Sequence, residues 1–112
     1  MAAKYRTLEY LERLRPKPGD RRKALADARA IAAYLRREYG AEVYGIGSLF
    51  VAGRDFTERS DIDLVAKGLP AERFFSILVK LDGMTPFKLD LVPFEDANEF
   101  MRKTVLEEGM LL

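Results

Sequence analysis

The chain has 112 residues, in which 19 Lys and Arg nearly balance 18 Asp and Glu, and its formal net charge is +1. That balance gives no bulk attraction to a polyanion, so there is no strong nucleic-acid signal. Cysteine and histidine are absent, which excludes disulfides, thiolate nucleophiles, zinc–thiolate sites and a histidine base. The length predicts a single domain over residues 1–112. The charged N-terminus and the lack of a membrane-length apolar stretch predict a cytoplasmic protein.

Residues 1–18 precede the predicted core at 20–112 and combine a helical leucine pattern with a proline-containing turn. An apolar stripe is usually buried, so we interpret this helix as an extra layer on the domain, with a docking element for a partner as the alternative. Residues 13–23 hold six basic residues against one acidic. Because no aromatic residues interleave with that charge, a solvated turn is favoured over a contact with RNA or an acidic partner.

A long helix and a strand open the predicted core. Asp20 is a candidate N-cap for a helix over residues 20–39, and Gly40 supplies its C-terminal stop. The helix is predicted to bury a stripe of small and apolar residues: Ala24, Ala28, Ile31, Ala32 and Leu35. Residues 42–46 are predicted to form the first strand, which ends at the Gly47-Ser48 pair.

Two further strands and a helix follow the glycine-rich segment. We predict strands over residues 61–67 and 88–93, and between them a helix that starts after Pro70. Five apolar side chains fit one face of that helix: Phe74, Phe75, Ile77, Leu78 and Leu81. A base-stacking platform is the alternative interpretation of the two aromatic residues, but burial in the core is favoured.

A last helix is predicted over about residues 95–107, and an edge strand within 105–112. The helix is predicted to bury four apolar side chains: Phe100, Met101, Val105 and Leu106. Strands and helices thus alternate along the chain, which predicts the α/β (α+β) class.

Three aspartates are the candidate catalytic and metal-binding residues. Asp61 and Asp63 are one residue apart on a predicted strand, so they project from the same face with their backbones roughly 6.5 Å apart. Asp90, on a later strand, can face the same cleft if the two strands are neighbours. Carboxylate oxygens suit Mg²⁺ far better than zinc. Burying three carboxylates without a cation would be costly.

A glycine–serine turn lies upstream of these acids. The backbone N–H groups of Gly47 and Ser48 can bind phosphate oxygens, especially if Ser48 opens a short helix. Arg54 and Arg59 are candidates to neutralise a leaving phosphate group, with solvated loop positions as the alternative. Ser60 is a further nucleotide-binding candidate, although steadying the turn into the strand is the favoured role. A phosphate-binding turn beside metal-binding carboxylates indicates phosphoryl or nucleotidyl transfer.

The order Gly-Ser, a second Gly, then Ser-Asp-x-Asp-Leu resembles the signature of the DNA polymerase β-like nucleotidyltransferase superfamily, above all its minimal members. In this chain the residues are Gly47-Ser48, Gly53 and 60–64, with Asp90 as the third acid and a Glu-Gly close within 105–112. Four residues separate Gly47-Ser48 from Gly53 where members commonly have three. The phosphate pocket is therefore expected to differ in shape.

The resemblance implies a mixed β-sheet flanked by helices and Mg²⁺-dependent transfer of a nucleoside monophosphate, AMP from ATP, to a hydroxyl group. Two Mg²⁺ ions would be held by Asp61, Asp63 and Asp90. The nucleotide-binding residues it implies are Gly47, Ser48, Gly53, Arg54 and Ser60. Minimal members resemble the antitoxin of toxin–antitoxin systems, so the implied acceptor is a tyrosine of a small helical toxin of the HEPN class.

Two other functions stay open. A non-catalytic antitoxin or binding module on this fold would neutralise its partner by contact alone. A small-molecule nucleotidyltransferase of the antibiotic-modifying kind would need an acceptor pocket, ordinarily from a second domain. Because the chain is too small to grip a polymer, a partner, a second copy of the chain or an open groove would hold the acceptor.

Overall fold

The computed structural model describes residues 20–51 and 61–112. This part of the chain contains three α-helices, Asp20–Tyr39 (α1), Phe74–Asp82 (α2) and Glu99–Glu108 (α3), and four strands, Glu42–Ile46 (β1), Ile62–Lys67 (β2), Leu89–Pro93 (β3) and Met110–Leu111 (β4). Short 3-10 helices occupy Ala71–Arg73 and Phe94–Asp96. The predicted N-terminal helix lies outside the described residues, as do Gly53, Arg54, Arg59 and Ser60.

The strands form one mixed sheet in the order β3-β2-β1-β4. β1 pairs antiparallel with β2 and with β4, whereas β2 and β3 are parallel. The predicted α/β class with a mixed sheet flanked by helices is therefore confirmed. None of the helices in the described part of the chain is long and apolar enough to cross a membrane.

The main core lies between one sheet face and helices α1 and α2. All five residues predicted to form the buried stripe of α1 are buried, and they share a cluster with alternate residues of β2 (Ile62, Leu64, Ala66). The helix ends as predicted at Gly40, whose φ is +66° and whose N–H donates to the Arg36 carbonyl at 2.8 Å. The side chain of Asp20 is not described, so its capping role stays a prediction.

A smaller apolar layer covers the opposite face of the sheet. Val65 and Val105 are buried but lie outside the main cluster. Since Val65 alternates with Leu64 along β2, it points to the other face, and α3 packs there against β1. On that same face, polar side chains occupy the end of the sheet at which β2 and β3 begin.

Predicted core burial is wrong for three large residues. Phe75, Phe100 and Leu106 are each 78% exposed. In α2 the core is contacted from Phe74, Ile77, Leu78 and Leu81, and Phe75 lies about 100° around the helix from Phe74. The last helix starts later than predicted because the Asn98 side chain accepts the Met101 N–H at 2.8 Å and caps it. It buries Val105, while Met101 is half-buried.

A buried polar pair joins α1 to the segment that enters β3. The Thr85 hydroxyl donates to Asp27 Oδ2 at 2.8 Å, and Lys23 Nζ lies 2.9 Å from Asp27 Oδ1. Thr85 Oγ1 also accepts the Phe87 N–H at 3.2 Å. Asp27 is 6% and Thr85 7% exposed, so the bond between them is shielded from water and connects the segment before β3 to the helix.

We expect Thr85→Val to lower the free energy of unfolding by about 1–3 kcal/mol, because it removes a donor from a buried carboxylate without changing the volume. Urea denaturation would measure the change. Thr104→Val is the matched control, since the Thr104 hydroxyl only donates to the Phe100 carbonyl of its own helix, and its loss is expected to stay within about 0.5 kcal/mol. Equal effects of the two substitutions would contradict a special role for the Asp27–Thr85 bond.

Candidate active site

The pairing of β2 with β3 brings the predicted acids together. Asp63 and Asp90 are register partners on these parallel strands, so their side chains project side by side from one face, about 4.8 Å apart at the backbone. Asp61 immediately precedes β2 and is two residues from Asp63, on the same side. The predicted shared cleft requires β2 and β3 to be neighbours, and they are.

The end of β1 places Gly47 against this acidic cluster. Ile46 pairs with Asp63 across the antiparallel strands, and Gly47 follows directly. Gly47 has a φ of +85°, and a Cβ added there would lie 2.8 Å from Asp63 Oδ2. Both the backbone conformation and the space therefore require glycine.

A backbone hydrogen bond and buried side chains hold the turn after Gly47 in place. The Phe50 N–H donates to the Gly47 carbonyl at 3.1 Å, and Leu49 and Phe50 are buried. The Phe50 ring packs on Gly45 so closely that a Cβ on Gly45 would lie 2.5 Å from it. Over the described residues Ser48 thus lies in a single hydrogen-bonded turn, where the sequence suggested that it could open a short helix.

Negative charge accumulates at the site. The pKa of Asp63 is raised from 3.8 to about 6. Burial is the largest cause, the charges of Asp61 and Asp90 also raise the pKa, and the charge of Lys88 lowers it. Lys88 Nζ lies 3.7 Å from Asp61 Oδ2, and the Lys88 carbonyl accepts the Ile62 N–H at 2.9 Å. Lys88 lies two residues before Asp90, so it projects from the same side of the chain. In the structure it is the nearest described cation to the cluster.

The donor chemistry of the cluster fits a divalent cation. Its ligands would be carboxylate oxygens, which Mg²⁺ prefers, and the raised pKa of Asp63 means that a nearby cation would favour the ionised form of this carboxyl group. Within residues 20–51 and 61–112, no three acidic side chains converge closely enough in this conformation to enclose one ion. Coordination would therefore require the carboxylates to rotate.

Arg21 contacts the site and was missed by sequence reasoning. From the first turn of α1, its Nη2 donates to the carbonyls of Ser48, Leu49 and Val51 at 3.0, 3.2 and 3.2 Å. The sequence signal for such a contact was the position of Arg21, because a cation in the first turn of a helix interacts unfavourably with the helix dipole. A basic residue there suggests that it makes a favourable contact elsewhere. Of the other predicted nucleotide-binding residues, Gly53, Arg54 and Ser60 lie outside the described residues and stay predictions.

Together, the strand order and the flanking helices form a mixed four-stranded α/β fold over the described residues. The chain is similar to a chain of the crystal structure of the toxin–antitoxin MntA-HpeT, in a mutant that carries glutamate at two aspartate positions one residue apart. The TM-score is 0.61 at 20% sequence identity, over 75% of this chain and 70% of that chain. No family model matches the sequence, and no curated protein matches it. The likeness is therefore one of fold.

Proposed function

We propose that this protein is a Mg²⁺-dependent nucleotidyltransferase that transfers AMP from ATP to a hydroxyl group of a partner protein. The observation that carries the proposal is that Asp61, Asp63 and Asp90 lie on one side of the neighbouring strands β2 and β3, beside the turn at Gly47. The fold likeness to a chain of a toxin–antitoxin structure supports it. The mutant in that structure alters two aspartates with the spacing of Asp61 and Asp63.

The acids would hold the metal and the turn would hold the nucleotide. Asp61 and Asp63 would bind both Mg²⁺ ions, and Asp90 would complete the second site. When bound, Mg²⁺ supplies neutralisation of phosphate charge and a lower pKa for the attacking hydroxyl. The outer phosphates of ATP would lie on the Gly47-Ser48 turn, with Gly53, Arg54 and Ser60 as the further nucleotide-binding residues.

In the proposed reaction the acceptor oxygen forms a bond to the α-phosphorus of ATP. The bond from that phosphorus to the bridging oxygen of the β-phosphate breaks, and pyrophosphate leaves. The hydroxyl proton passes to Asp90 or to water. Asp90 is exposed, so an acceptor and its proton can reach it from solvent. The remaining contribution of the protein is to position the two reactants and to offset charge.

The acceptor we propose is a tyrosine of a HEPN-type toxin, whose activity the transfer would silence. The neighbour in fold comes from a toxin–antitoxin structure, and an acidic cluster open to solvent suits an acceptor presented by another protein. Use of ATP would place the reaction in the cytoplasm. A non-catalytic antitoxin would keep the partner but not the chemistry, and a small-molecule nucleotidyltransferase would keep the chemistry but not the partner.

Incubation with ATP labelled at the α-phosphate would test the function. Wild-type protein, Mg²⁺ and the protein encoded by the neighbouring gene are expected to give label on that protein, and Asp61→Asn/Asp63→Asn to give none. Peptide mapping would locate the label on a tyrosine. An unlabelled neighbour that binds wild type and double mutant equally well would instead favour the non-catalytic antitoxin.

Metal binding can be tested without any acceptor. We expect Mg²⁺ or Mn²⁺ to raise the thermal midpoint of the wild type, because a ligand that binds only the folded state stabilises it by mass action. The midpoint of Asp61→Asn/Asp63→Asn is expected not to change with added metal. Each protein with a chelator and no added metal is the reference. An equal shift of the thermal midpoint in both proteins would contradict metal binding at these acids.

A further inference from the structure

Helix α1 holds the turn after β1 through one side chain. The carbonyl oxygens of Ser48, Leu49 and Val51 all lie within 3.2 Å of Arg21 Nη2. These oxygens carry partial negative charge and would repel one another if they were gathered without a donor. A guanidinium group offsets that repulsion with charge-assisted hydrogen bonds.

The direction of these carbonyls fixes the direction of the N–H groups. In a planar trans peptide the C=O and the following N–H point in opposite directions. Because the Ser48 carbonyl points at Arg21, the Leu49 N–H points away from α1. The orientation of the peptide that follows Ser48 therefore depends on a residue 27 positions earlier in the chain.

We propose that Arg21 is a positioning residue for the phosphates of the nucleotide, acting through the Gly47-Ser48 turn and not by contact with the substrate. This role rests on the proposed function, since it presumes that the turn binds phosphate. Gly47 adopts a left-handed φ and glycine restricts the chain least, so a contact from α1 adds to the turn's own hydrogen bond and buried side chains in keeping one conformation. Arg21 supplies that contact.

Arg21→Met tests the role, with Arg22→Met as the matched control because Arg22 is the neighbouring residue of α1 and is exposed. In Arg21→Met we expect amide exchange in peptides covering 47–51 to quicken by about tenfold or more, while peptides from 24–39 keep their exchange rates. We expect the KM for ATP to rise about tenfold, as loss of charge-assisted hydrogen bonds predicts, with kcat within about twofold. Arg21→Lys is expected to raise the KM for ATP less than Arg21→Met does, because lysine keeps a cation with rotatable donors.

Three outcomes would overturn the proposal. Unchanged exchange in 47–51 would show that Arg21 does not hold the turn. Faster exchange with an unchanged KM would show that Arg21 serves folding alone. A wild type that neither transfers nor binds ATP by calorimetry would remove the proposed function and this role together, and the exchange data would still separate that failure from a failure of the Arg21 contact.

Discussion

Asp63→Asn is expected to make the protein more stable at pH 8 and to abolish nucleotidyl transfer. The pKa of Asp63 is raised from 3.8 to about 6, so its ionised form is destabilised in the folded protein relative to the unfolded chain. After allowance for solvent screening of a partly exposed group, the neutral isostere is expected to gain about 1–2 kcal/mol in the free energy of unfolding. Transfer is expected to fall by about 10³-fold, because the substitution would remove a proposed ligand of the metal.

The stability difference is expected to depend on pH in one direction. Above about pH 6 the Asp63 carboxyl is ionised in both the folded and the unfolded state, so the full cost is present. Between pH 6 and pH 3.8 the folded state binds more protons than the unfolded state, so the stability of the wild type rises as pH falls through this window. Below 3.8 both states are protonated and the contribution of Asp63 disappears.

Urea denaturation of wild type and Asp63→Asn from pH 4 to pH 8 measures this difference. Asp82→Asn is the control, because Asp82 is exposed at the end of α2, and its curve is expected to follow the wild type. A gain for Asp63→Asn that is equally large at pH 4 would mean that the partly buried, ionised carboxylate of Asp63 is not its source. Full transfer activity in Asp63→Asn would contradict the metal role.

Local patterns predicted the elements, while the site depended on pairing that no local pattern contains. The helix from Asp20 to Tyr39 and the strand from Glu42 to Ile46 have the predicted bounds, because alternation and a glycine stop are local signals. That Asp90 lies beside Asp63 follows only from parallel pairing of β2 with β3. The three acids could be identified as candidates from the sequence. Whether Asp90 lies beside Asp63 depended on strand pairing, which the sequence does not reveal.

The errors also have physical causes. Phe75 and Phe100 are apolar residues within helices, and a periodic pattern does not tell which side of a short helix meets the core. The contact of Arg21 with the Ser48 carbonyl joins residues 27 positions apart through backbone atoms. Backbone acceptors are present at every residue, so a basic residue in the first turn of α1 could suggest a contact but could not identify its partner.

Gly47→Ala is expected to lower both stability and transfer. Its φ of +85° is unfavourable for alanine by about 1–2 kcal/mol. The added Cβ would also lie 2.8 Å from Asp63 Oδ2, so the carboxylate or the turn must move, at a further cost of about 1–3 kcal/mol. Because that movement displaces a predicted metal ligand, transfer is expected to fall about 100-fold.

Gly40→Ala separates the two causes. Gly40 also has a positive φ, +66°, but a Cβ there would meet nothing within 4 Å. Its loss of stability therefore measures the backbone cost alone, and Gly47→Ala is expected to exceed it. In an Asp63→Ala background the excess should vanish, because the carboxylate that the Cβ meets is gone. Urea denaturation of the wild type, Gly47→Ala, Asp63→Ala and the double mutant gives the coupling energy between the two positions. A Gly47→Ala effect equal to that of Gly40→Ala would show that the turn can move away from Asp63 freely, which contradicts a site held in one geometry by the end of β1.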